Sequence, residues 1–386
     1  MSDISIYFTP PKIDSIKFQS EQLYYHITLH TENSFPELTK PGVAIIFVPE
    51  HRTTKPSIQS SKQEKFRTAL FSLYRNEGWN KTIYDLGDIL PGAKIEDTFF
   101  ALSQVMEELA KHKITPVIVG GSQDLTIALY KGYKDAEQYV NITTIDAKLN
   151  FGDIEQSAHS EGWVSHVLLQ KPCYLFNFTA IGIQSHYCDP KELHLFEQLY
   201  FDTLRLGEIN QNMAKTEPYL RNTDLLSFDL DAIRQSDLPR KNVSIPNGLY
   251  ANEGCQLAKY AGMSDKLSCF GIFNYNISQY TDESINEIVA QLIWYFLDGY
   301  FQRKNDFPVG SKKNYTKFRV FFEEQKEEIL FYKSDKSQRW WMEVPYPNKG
   351  SQYERHHMVP CSYNDYQLAM KGDIPDLWWK TYQKLA

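Results

Sequence analysis

Short runs of consecutive apolar residues recur along the middle of this chain, and several are followed by stretches with helical spacing. Such a run is typical of a strand buried on both faces of a parallel sheet. Strands that alternate with helices at this spacing predict an α/β fold with helices on both faces of the sheet. The predicted strands are 43–48, 83–86, 115–119, 140–145, 178–183, 225–230 and 269–273.

Three regions of different texture follow one another along the 386 residues. Residues 1–40 mix aromatic and polar residues without a clear period, so we expect an arm packed on the body. Residues 41–304 carry the α/β pattern. Residues 305–386 open with a polar stretch and continue with apolar runs around charged residues, which predicts a small β-rich extension.

Charge and cysteine content exclude several classes of protein. The net charge of −7 argues against broad binding of nucleic acid, which needs a basic face. No run of about 18 apolar residues is present to span a membrane. Five scattered cysteines without a CxxC pair are typical of a reduced, cytoplasmic chain.

Polar segments stand where three predicted strands end, at 120–126, 146–151 and 227–231. In open α/β sheets the ligand site lies beyond the carboxyl ends of the strands. We therefore expect the three segments to line one crevice.

Acidic side chains dominate this expected crevice. If the chain stays extended, Asp229 and Asp231 point to one face, and so do Asp146 and Lys148. Two unit charges about 4 Å apart repel by roughly 4 kcal/mol at an effective dielectric constant near 20. A divalent metal or the Lys148 ammonium is therefore needed to balance the carboxylates.

In this order the three segments resemble the ureohydrolase family of arginase, agmatinase and formimidoylglutamase, and formimidoylglutamase is the nearest. The family motifs are Gly-Gly-x-His, Asp-Ala-His-x-Asp and Ser-x-Asp-x-Asp, and 248–254 resembles a later Gly-Leu-x-x-x-Glu-Gly segment. The resemblance covers about residues 43–300. It implies a three-layer α/β/α fold and a two-manganese centre whose bound hydroxide attacks an amidine or guanidine carbon.

Half of the metal-ligand positions implied by the resemblance have changed. Gln123 and Lys148 replace histidines, and Asn150 replaces an aspartate. Carried over by position, one metal site would use Gln123, Asp146, Asn150 and Asp229, and the other would use Lys148, Asp146, Asp229 and Asp231.

These changes affect the two implied metal sites differently. A protonated lysine has no lone pair for a metal, so we expect the Lys148 ammonium to take the place of an ion among the carboxylates. The other site keeps oxygen donors, so one manganese or another hard divalent ion stays open as an alternative.

Glu253 matches the carboxylate that, by the resemblance, pairs with the guanidinium or amidinium of a substrate. A glutamate at the start of a helix also stabilises its first turn through the helix dipole. Both roles stay open for Glu253.

We therefore expect a ureohydrolase-fold protein without the dinuclear manganese centre or its hydrolase activity, acting as a binding, scaffold or regulatory protein with no cofactor. Its expected partners are a small amidine or guanidine ligand and other copies of itself. The alternative is an active hydrolase of linear C–N bonds with a single or altered metal site. Tryptophans of the extension at 340, 341, 378 and 379 cover a subunit contact or pack on the chain's own body.

Overall fold

A computed structural model describes residues 3–13, 18–53, 65–135, 137–152, 161–241, 245–308, 312–322, 327–345 and 356–386 of the protein. In these ranges the chain forms a ten-stranded, mostly parallel sheet flanked by helices, and a separate four-stranded antiparallel sheet near the C-terminus. The predicted three-layer α/β/α fold and the small β-rich extension are thus confirmed.

The elements of the large layer alternate along the chain as the sequence pattern predicts. Its strands are β1 (Phe8–Thr9), β2 (Ile27–Leu29), β3 (Gly42–Val48), β4 (Thr82–Ile89), β5 (Ile114–Gly120), β6 (Val140–Ile145), β7 (Leu175–Ile183), β8 (Asp202–Arg205), β9 (Leu225–Asp229) and β10 (Cys269–Phe273). Its helices are α1 (Phe66–Phe71), α2 (Ile95–Lys111), α3 (Leu125–Asp135), α4 (Trp163–Leu168), α5 (Pro190–Gln198), α6 (Leu206–Gln211), α7 (Glu217–Arg221), α8 (Ala251–Gly262) and α9 (Ser284–Phe301).

The strand order is β1-β4-β3-β5-β10-β9-β6-β7-β8, with β2 also paired to β4. Only β1 runs antiparallel to its neighbour in the described part of this sheet. The central strands β5, β10, β9 and β6 are in close register, because Ile272 lies beside both Val119 and Phe228, and Phe228 lies beside Ile145. Their carboxyl ends therefore meet at one edge, where the candidate site forms.

Side chains that alternate along the strands supply one hydrophobic cluster on each face of the sheet. Ile45 and Phe228 belong to the cluster that includes residues of α1, α8 and α9. Ile46 and Phe178 belong to the cluster that includes residues of α2, α3 and α4. The continuous apolar runs in the sequence reflect this burial on both faces.

Some elements differ from the sequence-based expectation. The segment 1–40 contributes the short strands β1 and β2 to the edge of the sheet. The strand β8 and the helices α4 to α7 were not predicted, because elements this short carry too few residues for a clear period.

The extension forms a small unit that packs on the main body. Its elements are β11 (Tyr315–Phe322), β12 (Glu327–Ser334), β13 (Trp340–Pro345), β14 (His356–Cys361), α10 (Tyr363–Met370) and α11 (Asp376–Leu385). Trp340, Trp341 and Trp378 are buried within the chain, whereas Trp379 is 48% exposed. Trp340 and Trp378 belong to the hydrophobic cluster of the extension itself, so burial of these tryptophans inside the chain fits the second of the two alternatives.

Arg221 of α7 joins the extension to the body. Its guanidinium donates hydrogen bonds to the carbonyl oxygens of Trp340 and Cys361, both at 2.9 Å. It also lies 4.4 Å from the centre of the Trp341 ring.

None of the helices in the described ranges has the length and apolar character that crossing a membrane requires.

Candidate functional site

The candidate site lies at the carboxyl ends of the four central strands. Gln123 follows β5, Asp146 follows β6, Asp229 ends β9 and Asn274 follows β10. Asp146 and Asp229 are almost completely buried, and Gln123 is fully buried. The parallel sheet therefore gathers these side chains from distant parts of the sequence.

The amide of Gln123 is enclosed by four hydrogen-bonding partners. Its Oε1 accepts from Trp163 Nε1 at 3.0 Å and from Asn150 Nδ2 at 2.9 Å. Its Nε2 donates to Thr144 Oγ1 at 3.2 Å and to Ser227 Oγ at 3.3 Å. Because an indole N–H can only donate, Trp163 fixes which end of the amide is the oxygen. Both lone pairs of that oxygen are thereby used.

Asn150 continues this chain of hydrogen bonds to Asp146. Its backbone has a φ of +55°, in the left-handed region that asparagine tolerates, and its Nδ2 donates to Asp146 Oδ2 at 2.7 Å. The other oxygen of Asp146 accepts from the backbone N of Lys148 at 2.9 Å. Trp163 and Asn150 thus both donate to Gln123, and Asn150 also donates to Asp146. The Asn150 amide therefore directs its N–H groups, and not its oxygen, at these neighbours.

Asp229 is held by an asparagine that the sequence analysis missed. Asn274 Nδ2 lies 2.9 Å from Asp229 Oδ1 and 2.8 Å from Oδ2. The backbone N of Asp231 also donates to Asp229 Oδ1, at 2.7 Å. Uncharged donors therefore solvate this carboxylate within the protein.

In the described residues, an arginine forms an ion pair with the acidic cluster of Asp146, Asp229 and Asp231. Arg240 Nη1 lies 2.6 Å from Asp231 Oδ1, and Arg240 Nη2 donates to the carbonyl oxygen of Leu230 at 2.6 Å. Arg240 is buried, whereas the Asp231 side chain is 41% exposed. A fixed positive charge therefore stands at the rim of the cluster.

The expectation that the Lys148 ammonium sits among the carboxylates is wrong. Lys148 Nζ lies 3.6 Å from Glu161 Oε1, and both side chains are largely exposed. The expectation assumed an extended chain after β6, but β6 ends at Ile145 and the backbone bends at 147–148. With this bend, the backbone N of Lys148 donates to Asp146 while the Lys148 side chain turns outward to Glu161.

Burial changes the acidity of the two inner carboxyls. Burial, with a further contribution from the charge of Asp231, raises the pKa of Asp146 to about 7. Burial and the neighbouring charges of Asp231 and Asp146 hold the pKa of Asp229 well above its usual range. The cluster therefore carries less than its full negative charge at neutral pH.

Glu253 acts in the structure as a helix-stabilising residue. Its Oε2 accepts a hydrogen bond from the backbone N of Tyr250 at 2.8 Å, at the start of α8. This contact fits the second of the two roles considered for Glu253.

Three residues of the site were missed by the sequence analysis. Asn274 directly follows a predicted strand, so the rule that selected the other segments could have found it. The sequence analysis recognised that a positive charge is needed near the aspartates, but no pattern in the sequence indicates that Arg240 supplies it. Trp163 is recognisable only from the fold, because it lies 40 residues from its partner Gln123.

Within the described ranges, no group of three or more His, Cys, Asp and Glu side chains is arranged to hold a metal ion.

A comparison of the sequence with known families places the chain in one of them. A sequence model of the arginase family matches residues 57–298, and the chain belongs to the arginase family.

Within that family the chain is similar to formimidoylglutamases. The formimidoylglutamase of Geobacillus sp. (strain WCH70) is 26% identical over 181 residues, which are 43% of this chain and 54% of that protein. The matched stretch thus spans about half the length of this curated relative.

Solved structures show the same fold at low identity. Formimidoylglutamase from Bacillus subtilis superposes with a TM-score of 0.65 at 17% identity, covering 76% of this chain and 96% of that one. Trypanosoma cruzi formiminoglutamase with Mn2+ gives a TM-score of 0.60 at 18% identity, covering 70% and 100%. Arginase from Bacillus cereus gives 0.55 at 18% identity, covering 67% and 98%.

Proposed function

We propose that this protein has lost the dinuclear manganese centre and the amidine or guanidine hydrolysis of its family, and that it acts by binding a ligand. The observation that carries the proposal is the hydrogen-bonded chain from Trp163 through Gln123 and Asn150 to Asp146.

The donor set does not fit a two-manganese centre. Gln123 Oε1 already accepts two hydrogen bonds, so binding a metal there would break one of them. Asn150 directs N–H groups at its neighbours, and the Lys148 side chain offers no lone pair. Two adjacent metals need bridging oxygens and several anionic or imidazole ligands. At the implied ligand positions of this chain, only Asp146, Asp229 and Asp231 are such ligands.

Polar groups of the chain take over the stabilisation of these aspartates. Asn150 and Asn274 donate to the two inner carboxyls, and Arg240 pairs with Asp231. Side-chain amides and backbone N–H groups thus satisfy the two inner carboxyls within the protein. Such a network favours a structural role for the residues at the metal-ligand positions that the resemblance implies.

Metal uptake and turnover test the proposal together. The full chain is incubated with excess manganese, freed of unbound metal and measured for bound ions, and the same sample is assayed with formimidoylglutamate, arginine and agmatine. We expect less than one ion per chain and no turnover. Two bound ions per chain with measurable turnover would refute the proposal.

The second candidate function is an active hydrolase of linear C–N bonds that uses a single or altered site with manganese or another hard divalent ion. It is favoured by the convergence of Asp146 and Asp229 at one strand edge and by the family's formimidoylglutamases. Turnover that needs one divalent ion and disappears in Asp229→Ala would establish it. Asp335→Ala, in the extension, is the matched control for loss of an aspartate.

A further inference from the structure

A cavity of about 610 Å³ lies beside the acidic cluster and not within it. Residues that follow β7, residues around α6 and the segment before α8 line it, and the three aspartates do not. Its volume falls in the range of about 300–1,000 Å³ that small-molecule sites occupy.

The charged groups of this cavity give it a positive balance. Arg205 and Arg234 line it, against a single lining carboxylate, Glu208. Glu208 Oε2 lies 3.7 Å from Lys215 Nζ and Arg234 Nε lies 2.8 Å from Asp237 Oδ1, so these two lining charges are paired and Arg205 is left without an ion-pair partner among the described residues. The balance matches a ligand with one negative charge.

Arg234 is held in place before any ligand arrives. Its Nε donates to Asp237 Oδ1 at 2.8 Å, and its guanidinium lies 3.4 Å from the centre of the Tyr250 ring. A guanidinium fixed in this way loses little freedom when it binds a planar carboxylate. Arg205 makes no ion pair with any described residue and is exposed, so its charge is available.

One wall of the cavity is tied to the candidate site. The buried side chain of Gln184 donates through Nε2 to the carbonyl oxygen of Asn247 at 3.0 Å. Its backbone N donates to the carbonyl oxygen of Ala147, next to Asp146, also at 3.0 Å. A ligand in the cavity would therefore sit against the segment that carries the acidic cluster.

We propose that this cavity binds a small organic monocarboxylate, with Arg205 as its charged anchor. Ile183, Leu206 and Pro246 supply apolar surface for the body of the ligand. This inference deepens the proposed function and rests on it, since a protein that acts by binding needs a binding site.

Matched probes test the inference by calorimetry on the full, manganese-free chain. N-Benzoylglycine carries the carboxylate, N-benzoylglycinamide replaces it with a neutral amide, and benzamidine carries a positive charge instead. We expect saturable binding of N-benzoylglycine and at least about tenfold weaker binding of the amide, because a charge-assisted hydrogen bond is lost. Preference for benzamidine, or for inorganic phosphate, would overturn the inference, and so would equal binding of the acid and its amide.

Arginine variants test the anchor. Arg205→Gln should weaken binding of N-benzoylglycine about tenfold or more, and Arg205→Lys should keep part of it. Arg319→Gln, on the exposed strand β11, removes the same charge away from the cavity and should change nothing. Equal affinity in Arg205→Gln and the unaltered chain would refute the anchor.

The inference and the proposed function fail in different ways. If none of the probes binds and the chain takes up no manganese, the inference is refuted and the proposed function is not. Two bound manganese ions with turnover would sink the proposed function, whatever the cavity binds.

Discussion

Trp163 donates its indole N–H to Gln123 Oε1 at 3.0 Å, and this contact decides what Gln123 can do. Together with the bond from Asn150, it fills both acceptor positions of an oxygen that a metal would otherwise need. The contact joins the first residue of α4 to the turn after β5, so it also fastens two elements at the edge of the sheet.

Trp163→Phe should lower the free energy of unfolding by about 2 kcal/mol, since it takes one donor from a buried acceptor. Chemical denaturation measures this difference. Trp379→Phe, at a half-exposed position in α11, should change stability by less than about 0.5 kcal/mol. Equal effects of the two variants would show that the indole hydrogen bond has no special weight.

Lys148→Ala should leave stability within about 0.5 kcal/mol of the original chain, because exposed ion pairs contribute little. Arg240→Met should cost about 2 kcal/mol or more, because it removes a buried charge from Asp231 and a donor from Leu230. Both are read from the midpoints of urea unfolding. The opposite ranking would mean that Lys148 is the cation that balances the cluster.

Restoring the family residues should restore metal binding. The triple variant Gln123→His, Lys148→His, Asn150→Asp supplies two imidazoles and a carboxylate where the chain now has an amide, an ammonium and a second amide. Elemental analysis after manganese loading should show more bound metal than in the unaltered chain. Uptake that is equal in both proteins would contradict the role given to these substitutions.

His357 should make stability depend on pH between about pH 6.5 and about pH 4. Burial, with the charges of Lys266 and Lys384, lowers the pKa of His357 to about 4 from its ordinary value of 6.5. The unfolded chain therefore binds the proton more readily, so the contribution of His357 is present above about pH 6.5 and is lost as pH falls towards about 4.

The variant His357→Gln isolates this effect. The loss of unfolding free energy between neutral and acidic pH should be smaller in the variant by about 2 kcal/mol. His194→Gln, at an exposed position, is the matched control for the loss of an imidazole. Parallel curves for His357→Gln and the original chain would count against a neutral, partly buried His357.

Arg221→Met should weaken the packing of the extension on the body. The change leaves the carbonyl oxygens of Trp340 and Cys361 without their donor, which costs about 3 kcal/mol in total. Tryptophan fluorescence follows the release of Trp341, and Arg319→Met serves as the control at an exposed arginine. Unchanged fluorescence and stability would show that Arg221 does not hold the two parts together.

The sequence was sufficient for the fold because its signal is local and repeated. The apolar runs at 43–48, 115–119 and 269–273 each became a buried strand, since burial on both faces excludes polar residues there. The segments after three of the strands were also predicted to meet, because strand ends of a parallel sheet share one edge, and Gln123, Asp146 and Asp229 lie together there.

The partners within the site could not be predicted, because they depend on how the chain leaves each strand. The bend after Ile145 turns Lys148 towards Glu161, and no residue type in the sequence announces that bend. Arg240 reaches Asp231 from a separate segment through the tertiary fold. Side-chain alternation describes strands well but stops applying where the strand stops.

The most direct measurement of the central claim is a crystal structure of the manganese-soaked protein with data collected at the manganese absorption edge. We predict no anomalous peak between Gln123, Asp146 and Asp229, with Trp163 and Asn150 still bonded to Gln123. Two peaks bridged by a solvent oxygen at that position, with the Gln123 amide turned away from Trp163, would contradict the account.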